Sequence, residues 1–192
     1  MNTWKYILLV LLAIVLGTAI AAFRIFSYEN SSALFKNGNW MGTTDLPLGR
    51  DNLITAQVTL LAMYAFPSEE AVYLFAQRDV DGNLLHTAND YRISGNINLI
   101  KAKYWSITAY GKDLFLIPNE ASRYSFNYSN IKTDTTGNFT IILSPTKHNG
   151  NWLPTPTNAR FNLLLRIYKG EKEYLKELST TPLPSITKMG IE

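Results

Sequence analysis

The 192-residue chain contains no cysteine. That absence removes disulfides, thiolate zinc sites, iron–sulfur clusters and cysteine nucleophiles together. It leaves the compartment open, although a thiol-free chain is chemically safe in an oxidising space outside the cytoplasm. Histidine is nearly as scarce. His86 and His148 are the only two, too few for a three-histidine metal site. Charge is thin as well: charged residues make up 17% of the chain, and 18 Lys and Arg against 15 Asp and Glu leave a net +3. The basic residues are scattered rather than clustered, so no nucleic-acid partner is expected. Nothing points to a cofactor, and none is expected. No internal repeat is visible, which sets aside solenoids and propellers.

What the chain does have is enough apolar material to fold. Hydrophobic residues are 46% of the sequence and aromatics 12%, too sticky for a disordered tail. Beyond an apolar leader, about 170 residues remain, enough for one domain with a real core.

The leader runs uncharged from Tyr6 to Phe23, between Lys5 and Arg24. As a helix those 18 positions span roughly 27 Å, just enough for the hydrocarbon core of a bilayer. With no polar face, the segment fits poorly as a buried core helix. Two readings stay open. One is a membrane anchor through residues 6–23, favoured by the length of the run. The other is a cleaved secretory signal, for which Ala19-Ile20-Ala21 supplies a small-x-small site. Both place residues from about 27 onward outside the cytoplasm, on the periplasmic side of an inner membrane or free in the periplasm. The chain is accordingly read as an anchor or signal over 1–26, a polar tether over 27–39 and a folded domain over 40–192.

Within the body, Asp51 to Ala65 is expected to be helical, capped by Asn52, with Leu53, Ala56, Leu60 and Tyr64 forming one stripe. After Glu70 the period falls to two. Val72, Leu74 and Ala76 alternate with Tyr73, Phe75 and Gln77, and Asp81-Gly82 marks a tight turn. Further strands are expected at 90–99, 103–110, 114–117, 123–128, 139–143 and 161–168, separated by Gly- and Asn-bearing turns. The pattern is that of an all-β sandwich or barrel, followed by two helical turns over Glu171–Leu178. Asn151-Trp152-Leu153-Pro154-Thr155-Pro156 is expected to be a rigid extended loop outside any ladder, because proline donates no backbone hydrogen bond.

That hexapeptide, with Phe161, Leu163, Leu165, Arg166 and Tyr168, resembles the signature of a bacterial family known as domain of unknown function 1214. Tyr104-Trp105-Ser106-Ile107-Thr108-Ala109-Tyr110 resembles its aromatic strand. Asn119 with Arg123-Tyr124, and Asp79, Asp81-Gly82 and Tyr91, resemble its neighbouring segments. The resemblance extends roughly from Trp40 to Pro184. It implies a mainly β, jelly-roll-like antiparallel sandwich in the cell envelope, here with one N-terminal helix packed on it and a transmembrane or signal helix before it. The family often carries a second domain of unknown function, 1254, which is not recognised in this chain. Thr55 stands where the family commonly has arginine, and no proline pair precedes Tyr104. The resemblance implies no reaction.

Chemistry-bearing residues each have a plainer use. Asp79, Asp81 and Asn83 alternate as a weak calcium set would, but Gly82 falls at the fourth position and Asp90 at the twelfth, which excludes an EF-hand. A hairpin turn needs the same residues, so no metal is expected. His86 and His148 sit in polar, loop-like segments as surface residues do. Ser106 lies in a strand without the Gly-x-Ser-x-Gly turn that exposes a nucleophile. Tyr104, Trp105, Arg123, Tyr124, Trp152, Arg166 and Tyr168 combine flat rings with guanidinium groups, a set that suits sugars, carboxylates and phosphates and also suits a sandwich core. The expected function is a membrane-tethered envelope module that binds a small polar ligand, a glycan or a protein partner. The alternatives are an enzyme acting on an envelope glycan through carboxylates such as Asp79, Asp81 or Asp113, and a purely structural accessory protein.

Overall fold

Apolar residues at every second position, from Phe161 through Leu163 and Leu165 to Ile167, form a ridge that is essentially solvent-free. Each such side chain contributes roughly 1.5–3 kcal/mol by burial, so the strand bearing four of them is the natural centre of the fold. The computed structural model describes residues 3–31, 33–44, 51–60 and 66–190. These fall into two units, Met1–Ala33 with Leu46–Ala65, and Leu34–Asp45 with Phe66–Glu192.

The first unit is helical. Helix α1 (Thr3–Phe26) has no buried residue and is long and apolar enough to cross a membrane, by length and composition. Helix α2 (Asn52–Leu60) starts one residue earlier than the expected cap implies. Asp51, not Asn52, is the cap: its Oδ1 accepts from the Leu53 and Ile54 amides at 2.9 and 3.1 Å, satisfying two otherwise orphaned donors. The Gln57 side-chain amide donates to the Arg24 carbonyl at 2.9 Å, tying α2 to α1. The expected continuation of the helix to Ala65, with Tyr64, lies outside the described residues.

The second unit is the expected β-sandwich. Its strands are β1 (Phe35–Asn37), β2 (Trp40–Gly42), β3 (Ala71–Ala76), β4 (Tyr91–Asn96), β5 (Ala102–Gly111), β6 (Ser125–Asn127), β7 (Asn138–Ser144), β8 (Trp152–Pro154), β9 (Phe161–Gly170) and β10 (Ser185–Lys188), with the short helix α3 (Lys172–Lys176) after β9. A six-stranded sheet runs β1-β2-β3-β9-β5-β6 and a four-stranded sheet runs β10-β4-β7-β8. Val72, Leu74, Trp105, Ile107, Leu163 and Leu165 from the larger sheet meet Tyr91, Ile93, Ile141, Leu143 and Leu153 from the smaller one. Trp105 stacks across this core on Phe139, with ring centroids 5.5 Å apart. Its neighbour Tyr104 points the opposite way and is 37% exposed, as strict strand alternation demands.

Three expectations need correction. The segment 35–37, assigned to the tether, is strand β1, and its Asn37 side chain donates to the Leu178 and Thr181 carbonyls at 2.8 and 2.6 Å. The segment 114–117 is a turn with one isolated bridge between Tyr110 and Leu116, because Leu114 takes a left-handed φ of 65° that breaks the extended run. Most instructive is the proline-flanked hexapeptide, which is an edge strand after all. β8 pairs parallel with β7, and the bonds from Ile142 N to Asn151 O (2.8 Å) and from Thr155 N to Ser144 O (3.3 Å) place the odd-numbered peptide groups against the sheet. Pro154 and Pro156 therefore stand at positions whose nitrogens face away from the ladder, where no donor is missed.

Candidate functional site

The larger sheet has a second face, opposite the core, and three of its strands place chemistry there. Register sets Arg166 of β9 between Tyr73 of β3 and Ser106 of β5, and sets Tyr168 opposite Tyr104. Alternation then adds Thr108 and Tyr110 from β5 to the same face. Tyr73, Ser106 and Thr108 are buried, Arg166 and Tyr168 partly so.

The Arg166 guanidinium meets neither a carboxylate nor a backbone carbonyl among the described residues. Instead its Nη1 donates to the Thr108 hydroxyl at 3.0 Å and its Nη2 to the Tyr110 hydroxyl in a very short contact. The guanidinium carbon also lies 5.4 Å from the centroid of the Tyr110 ring. No carboxylate is within ion-pair reach of Arg166 among the described residues. The reason is positional: the outward residues that register brings beside Arg166 on β3 and β5 are tyrosine, serine and threonine, so only hydroxyls are at hand. Two of the five guanidinium N–H groups are used by these bonds, and among the described residues no carboxylate compensates the charge. The rings complete the face: Tyr168 lies 5.8 Å from Tyr104 and 6.5 Å from Tyr73, the latter edge-on.

The remaining candidates go elsewhere. Trp105 is fully buried in the core, so it lines no surface, and its indole N–H has no hydrogen-bond partner among the described residues. Trp152 is buried too, its indole donating to the Ser144 carbonyl at 2.9 Å. Arg123 donates to the Trp152 carbonyl at 3.3 Å and lies 5.5 Å from the Phe126 ring centroid, pinning the segment before β6 to β8. Tyr124 is partly buried beside it in sequence, and its carbonyl accepts from the Ala109 amide at 3.2 Å. Thr108 and Tyr73 escaped sequence reasoning. Period two puts each on an outward face, but only the pairing register places them beside Arg166.

Asp79 is occupied by its own turn. Its Oδ1 accepts from the Asp81 and Asn83 amides at 3.0 and 2.8 Å, closing the hairpin turn. The same turn recurs at Asp134, whose Oδ1 takes the Thr136 hydroxyl at 2.8 Å and the Asn138 amide at 2.9 Å. Those bonds, the Thr136 hydroxyl first, hold the Asp134 carboxyl down at about 2. Among the described residues no three His, Cys, Asp or Glu side chains gather as a metal would require. His148 Nε2 lies 3.6 Å from Asp90 Oδ2, and His86 Nδ1 accepts from the Ala88 amide at 3.0 Å.

The family described as protein of unknown function (DUF1214) matches residues 70–172, more than half the chain. The chain belongs to the DUF1214 family. The matched span runs from the start of β3 to the end of β9 and so carries every residue of the Arg166 face. A crystal structure of the VPA0106 protein from Vibrio parahaemolyticus is similar, with a TM-score of 0.59 and 26% identity over 77% of this chain and 38% of that one. A putative uncharacterized protein from Burkholderia cenocepacia gives a TM-score of 0.44 and 16% identity over 86% of this chain and 39% of that one. This chain therefore spans under two fifths of the length of either protein. No curated protein matches it.

Within this DUF1214 chain the motif residues are largely structural. Asn151 is buried, accepts from the Lys132 amide at 2.9 Å and donates to the Lys132 and Thr140 carbonyls at 2.8 and 3.0 Å. Asn119 closes its own loop by accepting from the Arg123 amide at 3.0 Å and donating to the Ile117 and Arg123 carbonyls, each at 3.0 Å. Arg123 and Arg166 both lack a carboxylate partner among the described residues, but Arg123 is exposed to solvent whereas Arg166 is partly buried.

Proposed function

We propose that this DUF1214 chain is a membrane-attached binding module, with the sandwich outside the cytoplasm, whose Arg166 face holds a small polar ligand bearing a carboxylate or phosphate, such as an acidic glycan. The observation that carries the reading is the Arg166 guanidinium itself: partly buried, fixed by two hydroxyls, set against the Tyr110 ring on a face that also carries Tyr73, Tyr104 and Tyr168, and without a carboxylate partner among the described residues. A partly buried charge without a counter-ion is costly, and an anionic ligand would offset that cost while the remaining N–H donors engage it bidentately. Tyrosine rings supply flat apolar surface and hydroxyls of the kind that sugars use. The membrane part of the reading is supported by α1, whose 24 residues would span about 36 Å as a helix, against about 30 Å of hydrocarbon.

The test is a calorimetric titration of the full chain in detergent with an acidic oligosaccharide and with its neutral counterpart. The acidic sugar is expected to bind and the neutral one to bind far more weakly. Arg166→Met is expected to weaken binding by about 10- to 100-fold, the loss of a charge-assisted contact. Equal affinity for both sugars, or for wild type and variant, would remove the reading.

A further inference from the structure

The connection from β5 to β6 displays apolar side chains instead of hiding them. The Gly111 amide donates to the Phe115 carbonyl at 2.9 Å, the Leu114 amide donates to the Gly111 carbonyl at 3.0 Å, and Leu114 sits at a φ of 65°, unfavourable for a residue with a branched side chain. A backbone strained in this way persists only where its surroundings hold it. Its consequence is exposure. Phe115 is 74% exposed and the adjacent Leu116 is 46% exposed, while Ile117 turns inward. No other large apolar side chain of the sandwich unit is as exposed as Phe115 among the described residues. Pro156, Ala159 and Arg160 lie against this loop and form with it a shallow cleft of about 230 Å³.

Along this cleft Lys112 and Arg160 stand against a single acid, Asp113, an excess of one positive charge. Lys112 and Arg160 are exposed and make no ion pair among the described residues. Asp113, the acid within the loop, accepts from the Phe115 amide at 3.2 Å, and Glu120 follows further along the segment. An aromatic and an aliphatic side chain presented together between cations is the arrangement that enters the boundary of an acidic bilayer, the rings reaching the acyl edge and the cations the headgroups. A chain carrying a helix fit for a membrane meets lipid at high local concentration, so even a weak surface contact is populated.

We propose that the loop Lys112–Pro118 docks on an anionic membrane surface, with Phe115 and Leu116 inserted at the headgroup–acyl boundary and Lys112 and Arg160 against acidic headgroups. This is independent of the Arg166 ligand. The absence of cysteine makes the test clean. The full chain is reconstituted in nanodiscs of phosphatidylcholine alone or with phosphatidylglycerol, bearing an environment-sensitive dye on Phe115→Cys, with Leu116→Cys as the second position and Tyr128→Cys, at an exposed site elsewhere, as reference. Thermal melts establish that each labelled protein is folded. The dye at 115 or 116 is expected to shift to the blue and be quenched by spin-labelled lipid in the acidic nanodiscs, less so in neutral ones or at high salt, while the dye at 128 reports water throughout. Lys112→Glu with Arg160→Glu is expected to abolish the shift. A dye at 115 and 116 that reports water in acidic nanodiscs overturns the proposal. So does a shift of equal size at 128, or one that survives the charge reversal.

Discussion

Trp152→Ala tests whether the family motif holds the fold or holds a ligand. In the structure the indole is 8% exposed, packs at the β8 edge and donates to the Ser144 carbonyl at 2.9 Å. Truncating a buried aromatic of this size costs about 3–5 kcal/mol from lost transfer energy and the cavity left behind. The lost indole hydrogen bond is a further contribution of about 1 kcal/mol, partly recovered if water reaches the carbonyl at this edge. For a domain of this size each kcal/mol moves the melting temperature by about 2–4 °C, so a fall of about 6–20 °C is expected. The assay is a thermal melt of the full chain in detergent, followed by circular dichroism, with Trp152→Phe alongside. Phenylalanine keeps most of the buried ring and loses the donor, so its loss should be well under half that of alanine. A Trp152→Ala protein that melts with the wild type would refute the assignment of this residue to packing.

Other expectations follow from single contacts. Asp134 has a folded pKa lowered to about 2 by bonds to its ionised form, so its contribution is complete above the ordinary carboxylate value and is lost as pH falls through about 2; a carboxyl NMR titration with an ordinary midpoint would show that the turn bonds are absent. The Tyr174 hydroxyl is pushed upward by burial and has no partner among the described residues. Its neutral form is the folded one, so its contribution is complete below the ordinary tyrosine value near 10 and is lost as pH rises beyond it; Tyr174→Phe should raise the melting temperature at neutral pH and resist alkaline unfolding. Gly42→Ala would bring a Cβ to 2.5 Å from the Tyr73 carbonyl, so β2 must move off β3, and a denaturant midpoint equal to wild type would show that the β1–β2 hairpin yields freely.

The sequence was most informative where period two ran long. Tyr104 and Trp105 had to face opposite ways, and the ridge through Leu163 and Leu165 had to be a core, because alternation alone decides both. It was least informative at the edges. β1 is three residues in an Asn-rich stretch, and β10 is a single Ser-Ile-Thr-Lys run, each too short for periodicity to register. β8 was misassigned because two prolines argue against a strand in general, whereas a parallel edge asks for donors only at alternate positions. The Arg166 face depends on β3, β9 and β5 pairing in one register across about ninety residues of sequence, which no local pattern encodes. The same limit explains why a single set of rings and guanidinium groups, open to a core or a ligand use, held both Trp105, which stacks on Phe139 in the core, and Arg166, whose partners are hydroxyls on the opposite face.

On the function proposed above, the charge of Arg166 serves a ligand and not the fold. The most direct measurement compares wild type, Arg166→Lys and Arg166→Met in two readouts on the same samples, the melting temperature and the affinity for an acidic oligosaccharide. Arg166→Met is expected to melt close to the wild type while losing about 10- to 100-fold in affinity, and Arg166→Lys to keep the charge but recover only part of that loss, because an ammonium lacks the planar fork. Variants that bind as tightly as the wild type, or that lose stability in step with affinity, would contradict it.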